Sequence, residues 1–381
     1  MKKTVGLFLV FVCVAGGVLG YKRRHQIELW MEVRSAAPAW AQKQIEADLS
    51  PFQGGISQEA LDETFEKIIG QKIPAYRYRI KEGKVYRKPE KDHFGRAETY
   101  DKMLKRILRS VSLPNLDFIV CVMDGVPEVY VPQRFWITER QAPVLCWAKK
   151  EDAPNLVLIP DILTTREYSW HLDVATVNQN HRSIPWEKRE SKAFWRGTAS
   201  DKIYTSENFD QKPRYKISML SKEFPQDVDA GYCKVPEHIA QTLSNLNLIL
   251  GHSSLADHLH FKYLPVLDGW MCTIPGYQWR LLSGSLTMKQ ESDEVQYFYS
   301  ALKPYVHYVP IQHDMSDLLE KIQWARTHDE ECRKIGENAR AFALANLMPN
   351  HVYAYFFHVL NEYASKQTFN DFNLDESWYQ R

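Results

Sequence analysis

The chain predicts an α/β protein of two domains, each built on a mainly parallel sheet, with a cleft between them. Three observations carry this expectation. Short apolar runs alternate with helically patterned stretches along the whole chain, and no internal repeat interrupts them. Two runs, "LDFIVCVMDG" (116–125) and "NLVLIPD" (155–161), are continuously apolar and then end in an acid, as strands covered on both faces do. Finally, 381 residues exceed the usual single core.

Composition narrows the function classes. Hydrophobic residues make up 44% and charged residues 25%, which is globular rather than disordered. Forty-eight basic residues face forty-seven acidic ones, a net charge of +1, so no general polyanion-binding surface of the nucleic-acid type is expected. Any anion has to be met locally.

The N-terminus reads "MKKTVGLFLVFVCVAGGVLGYKRR", uncharged from Thr4 to Gly20. The run falls short of a comfortable membrane span and suits a signal peptide cut after Gly20. Lys22, Arg23 and Arg24 behind it oppose export by the positive-inside rule and favour an uncleaved anchor. Both readings stand, beside the blander one of a buried helix, and residues 1–20 are set apart as a segment of their own. Cys13 lies in this run. The remaining Cys121, Cys146, Cys233, Cys272 and Cys332 are odd in number and contain no CxxC pair, against a disulfide framework or structural zinc and in favour of core positions.

The elements follow in order. "YRYRIKEGKVYRK" (77–88) is a hairpin around Glu-Gly. The strands at 116–125 and 155–161 put Asp124 and Asp161 beyond strand carboxyl ends, where ligands gather in open α/β sheets. Asp161 serves equally well as the cap of a following helix or turn. The domain boundary falls near 180–191. Beyond it, "KAFWRG" (192–197), "YLPVLDG" (263–269), "SLTMK" (285–289) and "YVHYVPI" (305–311) are strands. Helices are expected at "YQWRLLSG" (277–284), at "DLLEKIQWA" (317–325) and after a capping box formed by Thr327 and Glu330.

These elements place two arginines. Arg280 is expected to open a helix whose first turn also offers Ser283 and Gly284, and free N–H groups there attract phosphate. Arg196, beside Gly197, faces it from a strand end. Together they form a diphosphate site, in which guanidinium supplies a planar fork and glycine lets backbone donors approach. The alternative is a pair of surface or salt-bridged arginines. Two metal readings compete as well. Asp227-Val-Asp229 has the Asp-x-Asp form of metal-dependent sugar transferases, but follows "EFPQ" and reads more simply as a solvated loop. His252, His258 and His260 are close together, yet nothing completes a ligand set, which leaves exposed or core histidines.

The segments "IPWEKRESKAFWRGTAS", "KYLPVLDG", "YQWRLLSGSLTMKQ" and "ALKPYVHYVPIQHDMSDLLEKIQWARTHDEECRKIGENARAFA" carry a resemblance. In motif order and spacing the chain resembles the protein O-glucosyltransferases of glycosyltransferase family 90, a group that includes capsule xylosyltransferases and bacterial lipopolysaccharide-modifying proteins. The resemblance covers about residues 115–365 and is densest over 184–345. It implies a GT-B architecture: two Rossmann-like domains, an acceptor side (21–190) and a nucleotide-sugar side (191–350), with a crossing helix "HVYAYFFHVLNEYASK" and tail (351–381). It also implies an inverting, metal-independent transfer of glucose or xylose from a UDP-sugar, with no cofactor. Asp124 falls on the catalytic-base position. Arg196, Gly197, Thr198, Arg280, Ser283 and Gly284 fall at the UDP-sugar, with Trp195, Tyr277 and Asp161 as further candidates.

There are departures from the family pattern. Some members carry a second arginine two residues after the "RG" glycine, where this chain has Ala199 and then Ser200, so that Arg214 or Lys289 would supply the missing contact. The paired cysteines and retention tail of animal members are not seen, and the "MKK" start resembles the bacterial branch. That implies a catalytic domain on the cytoplasmic side of an inner membrane and, as acceptor, a surface glycan or lipopolysaccharide in preference to a protein serine. A catalytically silent glycan-binding scaffold on the same fold is the alternative function.

Overall fold

The computed structural model describes Arg24 and residues 26–88, 95–123 and 141–381. The apolar run 4–20 and Asp124 lie outside the described residues. Helices α1 (26–34), α2 (Ala39–Leu49) and α3 (Gln58–Gly70) precede the first sheet. Strands β1 (Ala75–Lys81) and β2 (Lys84–Arg87) form the expected hairpin, joined by Glu82 and Gly83 at φ 50° and 72°. Positive φ at both positions is the turn geometry that matches strand twist.

Helix α4 (Arg96–Leu108) leads to β3 (Leu116–Cys121), which pairs antiparallel with β1, while β4 (Val144–Cys146) and β6 (Leu156–Leu158) continue beyond it in parallel. From the far end of the chain β13 (Tyr379–Gln380) pairs with β2, giving the order β13-β2-β1-β3-β4-β6. The expectation of a mainly parallel sheet therefore fails on one side of β3. A two-residue turn leaves its strands no choice but antiparallel pairing.

β1 is buried at both of its arginines. Asp117 on β3 accepts from Arg77 Nε and Nη2, each at 2.8 Å, and from Arg79 Nε at 2.6 Å. Trp378, in the tail, covers the Arg79 guanidinium at 4.1 Å. Both ends of the chain thus close over one buried carboxylate.

Helices α5 (Ile162–Thr165) and α6 (Glu167–Ser183) lead into the second sheet, which is wholly parallel. Its strands are β7 (Glu190–Thr198), β8 (Val228–Lys234), β9 (Phe261–Val266), β10 (Leu286–Gln290) and β12 (Val309–Ile311), in the order β12-β10-β9-β7-β8. Helices α7 (Pro213–Glu223), α8 (Glu237–Asn245), α9 (Leu255–His258), α10 (Gly276–Leu282), α11 (Leu318–Thr327) and α12 (Asp329–Asn346) surround it. Alternate residues of β7 enter different cores, Phe194 the one shared with the first sheet and Trp195 the one on the far side.

Three local expectations are corrected. The strand at 305–311 shrinks to Val309–Ile311, because Tyr305 sits at φ 56° in a turn in which the His307 N–H donates to the Lys303 carbonyl. The capping box does not form: Thr327 Oγ1 turns back to the Trp324 carbonyl at 2.9 Å, and Glu330 pairs with Arg333. Asp229 lies on β8 rather than in a solvated loop.

Helix α13 (Pro349–Lys366) returns to the first half, as the crossing-helix expectation requires. Pro349 takes its first position, where a missing N–H costs nothing. Phe356, Val359, Leu360 and Tyr363 form its buried stripe in the first core. A short antiparallel ribbon, β5 (Lys149–Lys150) with β11 (Glu294–Val295), also joins the two halves. Of the five described cysteines all but Cys233 are buried.

Asp117→Ala leaves two buried guanidinium groups without their carboxylate. It should lower unfolding free energy by about 3–5 kcal/mol, read from urea melts. Arg77 Nη1 also pairs with Asp62, so a loss below about 1 kcal/mol would mean that Asp62 and the Trp378 stack, not Asp117, carry the pair.

Candidate active site at the junction of the two sheets

The order of the second sheet locates the site. From β7 the chain moves to β8 on one side and then to β9 and β10 on the other, so its progression reverses between β7 and β9. Strand-end loops diverge at such a point and leave a crevice beyond the carboxyl ends. A cleft of about 460 Å³ lies there. It is lined by Trp195, Arg196, Gly197, Thr198 and Ser200 after β7, by Leu267, Gly269 and Trp270 after β9, and by Arg280. The first half supplies Arg96, Trp147 and Arg166. Five arginines and no carboxylate appear among the described residues of this lining.

The arginines are not equivalent. Arg196 donates through Nη2 to Asp229 Oδ1 at 2.6 Å and through Nη1 to the Trp195 and Asp229 carbonyls at 3.0 Å, so much of its charge is already matched. Arg214, at the start of α7, spends its donors on the Thr198 carbonyl (2.6 Å), Ser200 Oγ (2.7 Å) and the Leu267 and Asp268 carbonyls (3.2 and 2.8 Å). It ties the two loops across the crevice. Arg96 donates to the Val122 carbonyl, just past β3, and lies over Trp147 at 5.5 Å.

Arg280 is the exception. Among the described residues its one hydrogen bond is from Nη1 to the Gly276 carbonyl at 3.0 Å and its Nε has no acceptor, while its guanidinium stacks on Trp279 at 4.1 Å. Burial, and then the nearby charge of Arg214, pull its pKa down to about 9. Burial, and then the charge of Arg280 itself, hold His258 at about 3. His258 is therefore a neutral wall residue, edge-on to Phe194 and Trp279.

Expectation and geometry part company at α10. Arg280 occupies the last turn of the helix, not the first, and only the backward slant of helical side chains returns its guanidinium to Gly276. Ser283 is the C-cap and Gly284 follows it, so neither offers free N–H groups to the cleft. The Ser283 carbonyl accepts instead from Arg189 Nη2 at 3.2 Å, and the Leu282 carbonyl from Arg340. Gly197 does line the cleft, yet the space a Cβ would take there is filled by the Trp195 indole.

The further candidates divide. Trp195 and Arg214 line the cleft; Asp161, Tyr277 and Lys289 do not. Asp161 is the N-cap of α5, accepting from the Leu163 and Thr164 N–H groups at 2.8 and 2.9 Å, and Gln278 Nε2 reaches its other oxygen at 2.9 Å. Burial raises its pKa against the pull of those donors. Tyr277 packs edge-on against Tyr299 in the core, and Lys289 holds both oxygens of Asp268 at 3.0 Å.

The metal readings lose their geometry. Asp227 is held by Arg326 and Asp229 by Arg196, while His252 and His260 are exposed and His258 is buried. No group of three metal-ligating side chains occurs among the described residues. Arg96 and Arg166 escape a reading of the sequence, since neither sits in a motif and only tertiary packing brings them to the cleft. Beyond Gly269 a second cleft of about 500 Å³ adjoins the first, lined by Asp201, Lys202, Asp268, Gln290 and Glu294. Burial pushes Glu294 up to about 7 although Lys202 pairs with it.

The chain has known relatives. It is 31% identical over 330 residues to protein O-glucosyltransferase 2 of Danio rerio and 29% identical over 335 residues to protein O-glucosyltransferase 3 of Homo sapiens, covering 85% of this chain in each case. It spans 62% of the length of both. Among solved structures, Anabaena Alr3699/HepE in complex with UDP-glucose aligns with a TM-score of 0.37 and 10% identity, over 71% of this chain and 76% of that one. The family model "Glycosyl transferase family 90" matches residues 35–376, and the chain accordingly belongs to glycosyl transferase family 90.

Proposed function

We propose that the arginine cleft binds the diphosphate of a UDP-sugar and that the protein is an inverting, metal-independent glycosyltransferase of GT-B type. The observation that carries this reading is Arg280, a buried cation with no carboxylate partner, in a lining of five arginines and no acid among the described residues. A buried charge without a counterion is costly, and an entering diphosphate offsets that cost. The adjoining cleft, with its amide, lysine and carboxylates, suits the hydroxyls and base of a nucleoside. The names of the relatives favour glucose over xylose, and protein or glycan hydroxyls as acceptor.

Asp124 is the proposed base. It follows by two residues Val122, whose carbonyl is held by the cleft residue Arg96. As the acceptor oxygen attacks the anomeric carbon from the face opposite UDP, the Asp124 carboxylate takes its proton. The bond from anomeric carbon to phosphate oxygen breaks, and UDP leaves with the electron pair. The charge growing on the β-phosphate meets Arg280 and the free donors of Arg196, already in place in a cleft walled by Trp147, Trp195 and Trp270. Asp227 and Asp229, committed to arginines, have no part in it.

UDP titrated calorimetrically in the presence of EDTA should bind saturably, and Arg280→Ala should weaken it about 10- to 100-fold, the worth of a charged hydrogen bond. Failure to bind with EDTA but recovery with manganese would restore the metal reading, and failure in both would favour the silent scaffold.

Asp124→Asn should reduce turnover of UDP-glucose by about 10²–10⁴-fold while UDP binding stays within a factor of about two. Unchanged turnover would remove Asp124 from the mechanism.

A further inference from the structure

Helix α1 is amphipathic in the wrong sense. Leu29 and Val33 point inward, at 0% and 3% exposure, as a surface helix requires. Its two acids are half-buried against α13, where Glu28 accepts from Asn350 Nδ2 at 3.2 Å and Glu32 meets His351 at 3.4 Å, and Glu28 also accepts from Arg24 Nε at 2.8 Å. The outward stripe is Ile27, Trp30 and Met31, at 51%, 46% and 52% exposure. Arg24 and Arg34 stand at its two ends, and the Arg34 guanidinium lies over Trp30 at 4.6 Å. A helix facing water would turn its acids outward and these three side chains inward.

We infer that the Ile27–Trp30–Met31 face of α1 lies in the headgroup region of an anionic lipid bilayer, as an interfacial helix that orients the protein on the membrane. Tryptophan flanked by arginine is the composition of such a boundary, where the indole takes the interface and the cations take lipid phosphates. The neighbourhood has matching charge. Gln26 of α1 donates to the Arg106 carbonyl at 3.4 Å, which places α1 against the end of α4, and that helix exposes Lys102, Lys105 and Arg109. Among the described residues of the groove of about 610 Å³ that they line, Glu98 is the one acid, and it is paired with Lys102 at 2.9 Å. Basic residues near an anionic surface each strengthen attachment.

Position along the chain favours a bilayer over a protein partner. The uncharged run from Thr4 to Gly20 stops just before α1, separated from it only by Tyr21 and basic residues. Three apolar side chains over two turns also fall well short of the roughly 800 Å² per partner of a stable protein interface. The α4 groove shares Arg166 with the arginine cleft, so the surface that α1 addresses adjoins the opening of that cleft. An acceptor carried at the membrane surface would then arrive beside it, a consequence that rests on the transferase reading, whereas attachment of α1 does not.

The test uses the full chain with Cys13→Ser and Cys233→Ser, labelled with an environment-sensitive NBD dye at Met31→Cys, or at Gln241→Cys as a control. It is reconstituted into phosphatidylcholine vesicles with or without phosphatidylglycerol. The Met31 label should shift to the blue, more so with phosphatidylglycerol, and be quenched by lipids spin-labelled near the headgroup, while the Gln241 label does neither. Ile27→Ser with Trp30→Ser should abolish quenching at Met31 without changing UDP binding. The inference is overturned if the Met31 label is unquenched by lipid. It is equally overturned if the label shifts to the blue without vesicles, in a concentration-dependent way that marks a second copy or independently of concentration as for the run 4–20 folded back. Loss of UDP binding in unaltered protein would instead reject the function proposed above and leave this inference untouched.

Discussion

A helix with no exposed face has to be satisfied from every side at once, and α10 is such a helix. All seven of its residues are buried. Gln278 therefore reaches Asp161 in the first half and Gln296 in the second, at 2.9 and 3.0 Å. At its carboxyl end, carbonyls that lack intrahelical partners are taken by Arg340 and Arg189. None of this closes unless the two halves are docked. Arg280 projects from the same helix, so the docking that satisfies α10 also fixes the cation at the cleft. The ribbon of β5 and β11 and the return of α13 reinforce the same junction.

Buried arginines appear here in three electrostatic states, and the difference separates scaffold from site. Arg77 and Arg79 share Asp117 and belong to the fold. Arg214 adds to its carbonyl and hydroxyl acceptors the Asp201 carboxylate, 3.9 Å from Nε, and works as a clamp that ties the β7 and β9 loops across the crevice. Arg280 has one carbonyl and an aromatic face. Desolvation without compensation is what drops its pKa, and the same deficit is the ground for proposing an anion beside it. Position in sequence distinguishes none of these roles.

Glycine beside arginine in "FWRG" has a local explanation. The Trp195 indole occupies the volume that a Cβ of residue 197 would need, and that indole is itself packed edge-on against Tyr232. A side chain at 197 would push the ring and with it the strand end that carries Arg196 and Thr198. The glycine serves the wall of the cleft first, and backbone access second.

The hairpin, the strands at 116–125 and 155–161 and the motif order of the family were legible in the sequence, because turn chemistry, apolar runs and motif order are properties of neighbours along the chain. Asp161 as a cap was also legible, since an N-cap acts within three residues of itself. The reading failed where distant segments decide. Pairing direction in the first sheet, the last strand added by the tail, and the orientation of Asp229 depend on partners far away in sequence. The polarity of α10 relative to Arg280 hinged on where a seven-residue helix starts, since at that length an error of one turn moves Arg280 from the last turn to the first. Arg96 and Arg166 reach the cleft only because the switch point of one sheet faces the strand ends of the other. Charge compensation is a three-dimensional property, so only the tertiary structure could single out Arg280 from the other arginines of the cleft.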